Sequence, residues 1–537
     1  MDIKNLQVTD RMQALKDQFL SVKPSISIVR ALAFTEVAKE NMDLPANLRI
    51  AKCFRRACEI APTFIQPNEL IVGNPNGRAR AGALSPDIAW DWLEDEIDTI
   101  STRAQDPYYI SEEDKKVMLE DIFPFWKGKS LNEACTDALK AESEDLYEYG
   151  VTAAITDLTY HMTNGGGDTA PGFDIILFKK GINGIKKEAE DYLASLDPAA
   201  EDYETRKAFY EASIELCEGV LTYSQRMSSY AAALADKEAD PKRREELLNI
   251  SKICDRVPAN PPETFQEALQ AEWTVQSLFC MEANQCSTSL GRVDQYFYPY
   301  YKKDIENGTL TPQKAFELFG CFMLKCCEVV WYTPTATADY FAGYMPFVNM
   351  CVGGVAGDGG DGTNDLTYLI MDVVEKYKIY QPTLACRIHN GSPRQYVAKV
   401  VDIIRASAGM PAVHFDDAHI KMMLRKGYSF EDARNYSCMG CVEPQRNGRV
   451  HQWTAGGFTQ WPICIDLALH NGVLGTYDEN KVWLDTGDIS EFDTYEKFEA
   501  AVKAQLDHLI DYNCRGTLII EKAFRDTTPT PYMSLFV

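Results

Sequence analysis

The sequence predicts an α/β fold, a parallel sheet or barrel walled by helices. Between about residues 345 and 415, short β-rich runs alternate with amphipathic helical stretches, the pattern left by parallel strands joined through helical crossovers. The first 250 residues carry mostly helical periodicity. With 45% hydrophobic and 25% charged residues the composition is that of a globular protein, so neither disorder nor a membrane protein is indicated. At 537 residues the chain has room for one large multilayer domain or several smaller ones.

Charge narrows the partners. The formal net charge of −25 is spread without long acidic blocks. It argues against nucleic acid and against an anionic membrane surface, both of which call for clustered Lys and Arg. A small-molecule partner is expected. No apolar run approaches the ~20 residues that span a bilayer, and Met1 to Asp10 lack the pattern of a signal peptide, so a cytoplasmic location is expected. In that compartment the 16 cysteines read as free thiols rather than disulfides.

In chain order, the helical first part is interrupted at Glu69–Asn74, at Ile100–Tyr109 and at the run Asn164–Gly172, a turn that suits either a ligand or a plain helix connection. Pro261-Pro262 opens a helix with Phe265, Ala268, Leu269 and Trp273 on one face. It leads into Asn284–Gln295, whose hydroxyls, Arg292 and Asp294 suit a polar pocket wall or an ordinary loop. Ala315–Val330 is apolar on nearly all sides, as a buried helix would be. Phe347–Val352 reads as a strand, and the Gly-rich stretch 353–364 lacks dinucleotide spacing; its aspartates leave calcium conceivable. Thr383–His389 and Ala412–Phe415 read as further strands, with Ser392-Pro393 as N-cap and first residue of the helix between them. Helices over 463–470 and from Thr494 to about Tyr512 follow.

Just after these units stands Cys438-Met439-Gly440-Cys441-Val442-Glu443-Pro444. A thiol and a carboxylate two residues apart, between Gly440 and Pro444, sit at the tip of one tight loop. Four accounts compete: half of a Cys-x-x-Cys metal or redox site, a cysteine hydrolase using His451 or His414, an inert loop, and hydrogen-atom chemistry at a thiyl with Glu443 as acid or base. No second Cys-x-x-Cys follows, which disfavours metal. The aromatics Trp453, Phe458 and Trp461 downstream suit a pocket for a flat substrate or simple packing.

The run Gly440–Pro444 resembles the active-site loop of the glycyl radical enzymes, the pyruvate formate-lyase-like superfamily. Further pieces match in order: Glu69–Asn74, Pro258–Pro261 with Thr264-Phe265 and Glu267–Gln270, Gly291-Arg292 with Asp294-Gln295, Gly353–Asn364, and Gln381-Pro382 with Arg387 and His389. The resemblance implies a ten-stranded α/β barrel of two five-stranded halves surrounded by helices. Residues 1–250 would form its helical N-terminal part, 251–435 the first half-barrel, and 436–537 the cysteine loop and start of an incomplete second half. It implies Cys441 and Glu443 as catalytic residues. The single cysteine of Gly440-Cys441 disfavours acyl transfer to coenzyme A. Within the superfamily, Glu443-Pro444-Gln445 with Gln452-Trp453-Thr454 and Thr459–Cys464 resembles the arylacetate decarboxylase branch, the large subunit of 4-hydroxyphenylacetate decarboxylase. This implies decarboxylation of an arylacetate (4-hydroxyphenylacetate, indoleacetate or phenylacetate). Ser287 or Ser289 would then hold the carboxylate, with His451 and Thr454 as further substrate-binding residues. A radical C–O or C–N eliminase acting on a diol or choline is the alternative, and a non-catalytic fragment a third.

The family's cofactor is a radical on a backbone glycine, installed by a radical S-adenosylmethionine activating enzyme. The motif that carries it, Arg-Val-x-Gly-aromatic, does not occur here. The chain is therefore expected to be the N-terminal part of a larger enzyme, inactive alone, with the C-terminal radical domain as a missing partner. A small iron–sulfur subunit and homo-oligomerisation are further expectations of the resemblance.

Overall fold

The computed structural model describes residues 5–284, 286–407, 409–450 and 457–537. A three-stranded parallel sheet stands at its centre: Asn349–Gly353, Thr383–Ile388 and Ala412–Phe415, with Cys351 opposite Ala385 and Cys386 opposite Val413. Helices Asp365–Tyr377 and Arg394–Ala406 make the crossovers. On the other edge Gly291 bridges Met350 in parallel. A second parallel ribbon pairs Ser25–Ser27 with Ala81–Ala83 and is extended by bridges to Tyr109 and Val329. The helical first 250 residues thus contribute strands of their own, three residues each, too short to leave a periodic signal.

The expected helices form where burial requires them. Phe265–Leu278 begins at a Thr264–Glu267 capping box and is buried along its whole second half. Pro312–Cys326 is buried on nearly every side from Ala315 onward. The 35-residue helix Tyr203–Lys237 turns Ala212, Leu216, Val220, Tyr223, Met227 and Ala231 inward at spacings of three and four. Two local expectations shift. The strand predicted from Phe347 begins at Asn349, because Phe347 has a left-handed φ of 55° that a strand cannot hold. The helix after Ser392 starts at Arg394 with Pro393 as its N-cap; the Ser392 hydroxyl instead accepts from the His389 N–H at 3.0 Å.

Arg292 and Asp294 form an internal lock rather than a pocket wall. The Asp294 carboxylate accepts from the Gly353 N–H at 2.7 Å and the Thr367 hydroxyl at 2.6 Å, and Arg292 donates to the Gly353 carbonyl at 2.8 Å. They hold the Gly-rich turn 353–364 onto the sheet. Its Asp361 pairs with His389 at 3.0 Å. Among the described residues no three His, Cys, Asp or Glu side chains gather as a metal site would need, and no helix is long and apolar enough to cross a membrane.

Candidate active site

The cysteine motif is a β-hairpin. Tyr436–Met439 pairs antiparallel with Glu443–Arg446, Met439 opposite Glu443, leaving Gly440, Cys441 and Val442 as the loop. Gly440 has φ +56°, and a Cβ there would lie 3.0 Å from the Ser287 hydroxyl, so glycine suits both the turn and the approach. The base of the hairpin is anchored: the Arg387 guanidinium lies 3.8 Å over the Tyr436 ring and donates to its carbonyl at 2.7 Å, while the Tyr436 hydroxyl donates to Asp416 at 2.7 Å. Cys438 is buried, and its N–H points at the Cys351 sulfur at 2.9 Å. It holds the hairpin down, whereas Cys441 at the tip is exposed.

Ser289 is the pin of this tip. Its Oγ accepts from the Gly440 N–H at 3.0 Å and the Asn349 N–H at 3.1 Å, and donates to the Ser287 carbonyl at 3.3 Å. A hydroxyl so engaged positions the loop tip. Asn349 adds its side-chain amide to the Cys441 carbonyl at 3.4 Å. Ser287 sits differently. It has φ +60° and its hydroxyl bonds Asp168, itself at φ +51°. Non-glycine residues in this region cost energy and are sustained by their surroundings. Here the Asp168 N–H bonds the Cys286 carbonyl at 2.9 Å, and the Ser289 N–H bonds the Thr169 carbonyl at 2.8 Å. Gly167 lies so close that a Cβ would stand 2.4 Å from the Cys286 carbonyl oxygen. The two polar runs of the sequence, 164–172 and 284–295, are therefore zipped together beside Cys441.

Asp168 was not singled out by the sequence; the glycines preceding it were the available signal. Burial, reinforced by the charge of Glu443, pushes its carboxyl up to about 7 against the Ser287 hydrogen bond. Although Cys441 reaches solvent, the loss of water around its sulfur, with the charges of Glu443 and Asp168, pushes its thiol up to about 11. The charged neighbours acting on both groups are carboxylates. Beyond them stands an aromatic wall: Tyr160 edge-on to Phe458 (5.6 Å) and Trp331 (6.2 Å), and Trp331 to Phe347 (5.5 Å). The Tyr160 hydroxyl meets the Cys286 sulfur at 2.8 Å. Of the expected site residues, Cys441, Glu443, Ser287 and Ser289 converge here. His451 and Thr454 lie outside the described residues.

The thiol and carboxylate are thus presented on a hairpin packed beside the strand Asn349–Gly353. The chain belongs to the pyruvate formate lyase-like family, whose model matches residues 6–537. It is 33% identical over 495 residues to isethionate sulfite-lyase of Bilophila wadsworthia, covering 91% of this chain and 60% of that relative. A structure on 1,2-propanediol dehydration in Roseburia inulinivorans superposes with a TM-score of 0.95 at 32% identity, covering 99% of this chain and 62% of that one. The glycerol-bound B12-independent glycerol dehydratase of Clostridium butyricum follows at 0.94 and 31%, covering 100% and 67%. Indoleacetate decarboxylase of Tractidigestivibacter scatoligenes is more distant, 27% identical over 504 residues, covering 88% of this chain and 57% of that relative. These solved neighbours bear out the α/β barrel class. The chain thus spans about three-fifths of the length of isethionate sulfite-lyase.

Proposed function

We propose that this chain carries the thiol centre of a glycyl radical lyase that eliminates a leaving group from the carbon beside a hydroxyl-bearing carbon. The observation that carries the proposal is the convergence of Cys441 with two carboxyl groups, Glu443 on the same hairpin and Asp168, which burial pushes up to about 7, across from it. A thiol kept as S–H, exposed at a hairpin tip, is fitted to exchange hydrogen atoms rather than to act as a thiolate nucleophile. The glycyl radical, installed by a radical S-adenosylmethionine activating enzyme, would supply the initiating oxidation of Cys441.

The Cys441 thiyl would take a hydrogen atom from the hydroxyl-bearing carbon. Glu443 accepts the hydroxyl proton, and Asp168 gives its proton to the departing group. The resulting carbonyl-stabilised radical takes its hydrogen atom back from Cys441. A pair of carboxyl groups in one site, placed in different environments, is a usual means of running base and acid chemistry together. The relatives support elimination: their names describe C–S and C–O cleavage ahead of decarboxylation. Decarboxylation of an arylacetate has the aromatic wall in its favour, but its carboxylate would face Glu443 and Asp168 without a described cation to receive it. The same reasoning favours a neutral or cationic substrate, a diol or a hydroxyalkyl ammonium, over a sulfonate.

The test uses the full-length enzyme, activated anaerobically and offered 1,2-propanediol, glycerol, choline, isethionate and phenylacetate. An aldehyde from one of the hydroxylated substrates, absent in Cys441→Ser, is the expected outcome. Release of CO2 and a methylarene from phenylacetate alone would overturn the elimination.

A further inference from the structure

Cys286 stands inside the site but has no part in the chemistry above. It is buried, its sulfur 2.8 Å from the Tyr160 hydroxyl and 3.6 Å from the Ser287 hydroxyl. The Ser287 hydroxyl lies 3.0 Å from where a Cβ on Gly440 would stand, immediately before Cys441. Cys286 is thus joined to the cysteine hairpin through the Ser287 hydroxyl, which lies between its sulfur and the residue preceding Cys441. Burial and the neighbouring Asp168 carboxyl hold Cys286 as a neutral thiol, unsuited to nucleophilic or ligand duty. A second S–H in the same site as a group that abstracts hydrogen atoms is a competing donor, and this one is in contact with a phenol.

We propose that Cys286 and Tyr160 form a hydrogen-atom relay that drains the Cys441 thiyl to a Tyr160 phenoxyl when no substrate is bound. In the first step an S–H bond forms on Cys441 and the S–H bond of Cys286 breaks. In the second the Cys286 thiyl takes the hydrogen atom of the Tyr160 O–H. One hydrogen atom moves at each step, no charge builds up in the buried site, and no outside oxidant or reductant is required. The net change is Cys441 restored as a thiol and Tyr160 left as a neutral phenoxyl, with the unpaired electron spread over its ring. Packing suits that resting place: the ring is flanked edge-on by Trp331 and Phe458, and the Trp331 N–H is already committed to Asn164 at 2.8 Å. The physiological role rests on the radical-lyase reading; the chemistry of the relay does not.

The test makes the thiyl without any radical domain. Cys441 and Cys514 are the exposed cysteines. In a Cys514→Ser background Cys441 is S-nitrosated, and anaerobic photolysis splits its S–N bond into the Cys441 thiyl and nitric oxide. Flash absorption and low-temperature electron paramagnetic resonance then follow the radical. The expected result is a tyrosyl signal that is lost in Tyr160→Phe, which keeps the ring packing, and lost in Cys286→Ser, which keeps a hydroxyl in contact but removes the S–H. Absence of a tyrosyl signal in the parent, or its persistence in either variant, overturns the relay. The aldehyde assay of the full-length enzyme judges the lyase reading separately, because the photolysis requires no catalytic turnover.

Discussion

Cys441 and Asp168 are each pulled away from their ordinary ionisation by burial and by facing carboxyl groups. For the thiol this is directly measurable, because only the thiolate alkylates. In a Cys514→Ser background, the rate of iodoacetamide modification of Cys441 is expected to keep rising well past the usual thiol range, toward about 11. Glu443→Gln removes one repelling charge and should move the profile to lower pH; an unmoved profile would sink the assignment of Glu443 as the neighbour that matters. For Asp168 the sign runs through linkage. Its folded pKa is raised from 3.8 to about 7. Between those values the folded chain keeps a proton that the unfolded chain has lost, so stability falls as pH climbs from about 4 through about 7 and is level above. The penalty is on the order of 4 kcal/mol once complete. Asp168→Asn abolishes it, so the gain in urea midpoint over the parent should be larger at pH 8 than at pH 5. Equal gains at both would contradict a proton on Asp168.

The hairpin is the element on which the chemistry depends, and its height is set from below and beside it. Cys438 fixes it to Cys351, Tyr436 to Arg387 and Asp416, and Ser289 fixes its tip. Ser289→Ala leaves two buried N–H groups, of Gly440 and Asn349, without their acceptor. The expected loss is about 1–3 kcal/mol, read from chemical denaturation. Such a loss, with a changed Cys441 alkylation rate at fixed pH, would mark Ser289 as the loop's pin. A variant indistinguishable from the parent in both measurements would return Ser289 to the role of substrate contact.

Across the whole molecule, buried ion clusters tie distant stretches together where apolar packing alone would leave polar groups stranded. Lys325, in a helix buried on nearly every side, meets Glu69 at 2.8 Å and Glu328 at 2.7 Å, and Asn74 donates to Glu328 at 3.2 Å. This accounts for Glu69 and Asn74, the polar ends of the stretch that interrupts the helical region. Glu328 is pushed up to about 7 by burial despite Lys325. Lys325→Met strands two buried carboxyl groups and should cost about 3–5 kcal/mol, with part recovered in Lys325→Met/Glu328→Gln. A neutral single variant would show that the cluster carries no net stabilisation. At the far end of the chain Tyr532, Met533 and Phe536 are buried, Glu282 accepts from the Met533 N–H at 3.0 Å, and the Gly172 N–H bonds the Phe536 carbonyl at 2.7 Å. The apolar terminal run thereby braces the loop that carries Asp168.

Local pattern alone determined a good deal here. The strands Thr383–Ile388 and Ala412–Phe415, the helix from Phe265, and the hairpin residues Cys441 and Glu443 were all legible, because periodicity, caps and turn residues act over a few neighbours. What only the tertiary structure decided was which residues meet. Asp168 faces Glu443 from a distant stretch of chain, Ser289 pins the loop tip, and Cys286 touches Tyr160. They depend on contacts between loops, which hold Asp168 and Ser287 at positive φ, and on burial that shifts proton affinities. Beyond the glycines that precede Asp168 these leave little trace in local sequence, because they arise from groups brought together only when the sheet and its helical shell have closed around them.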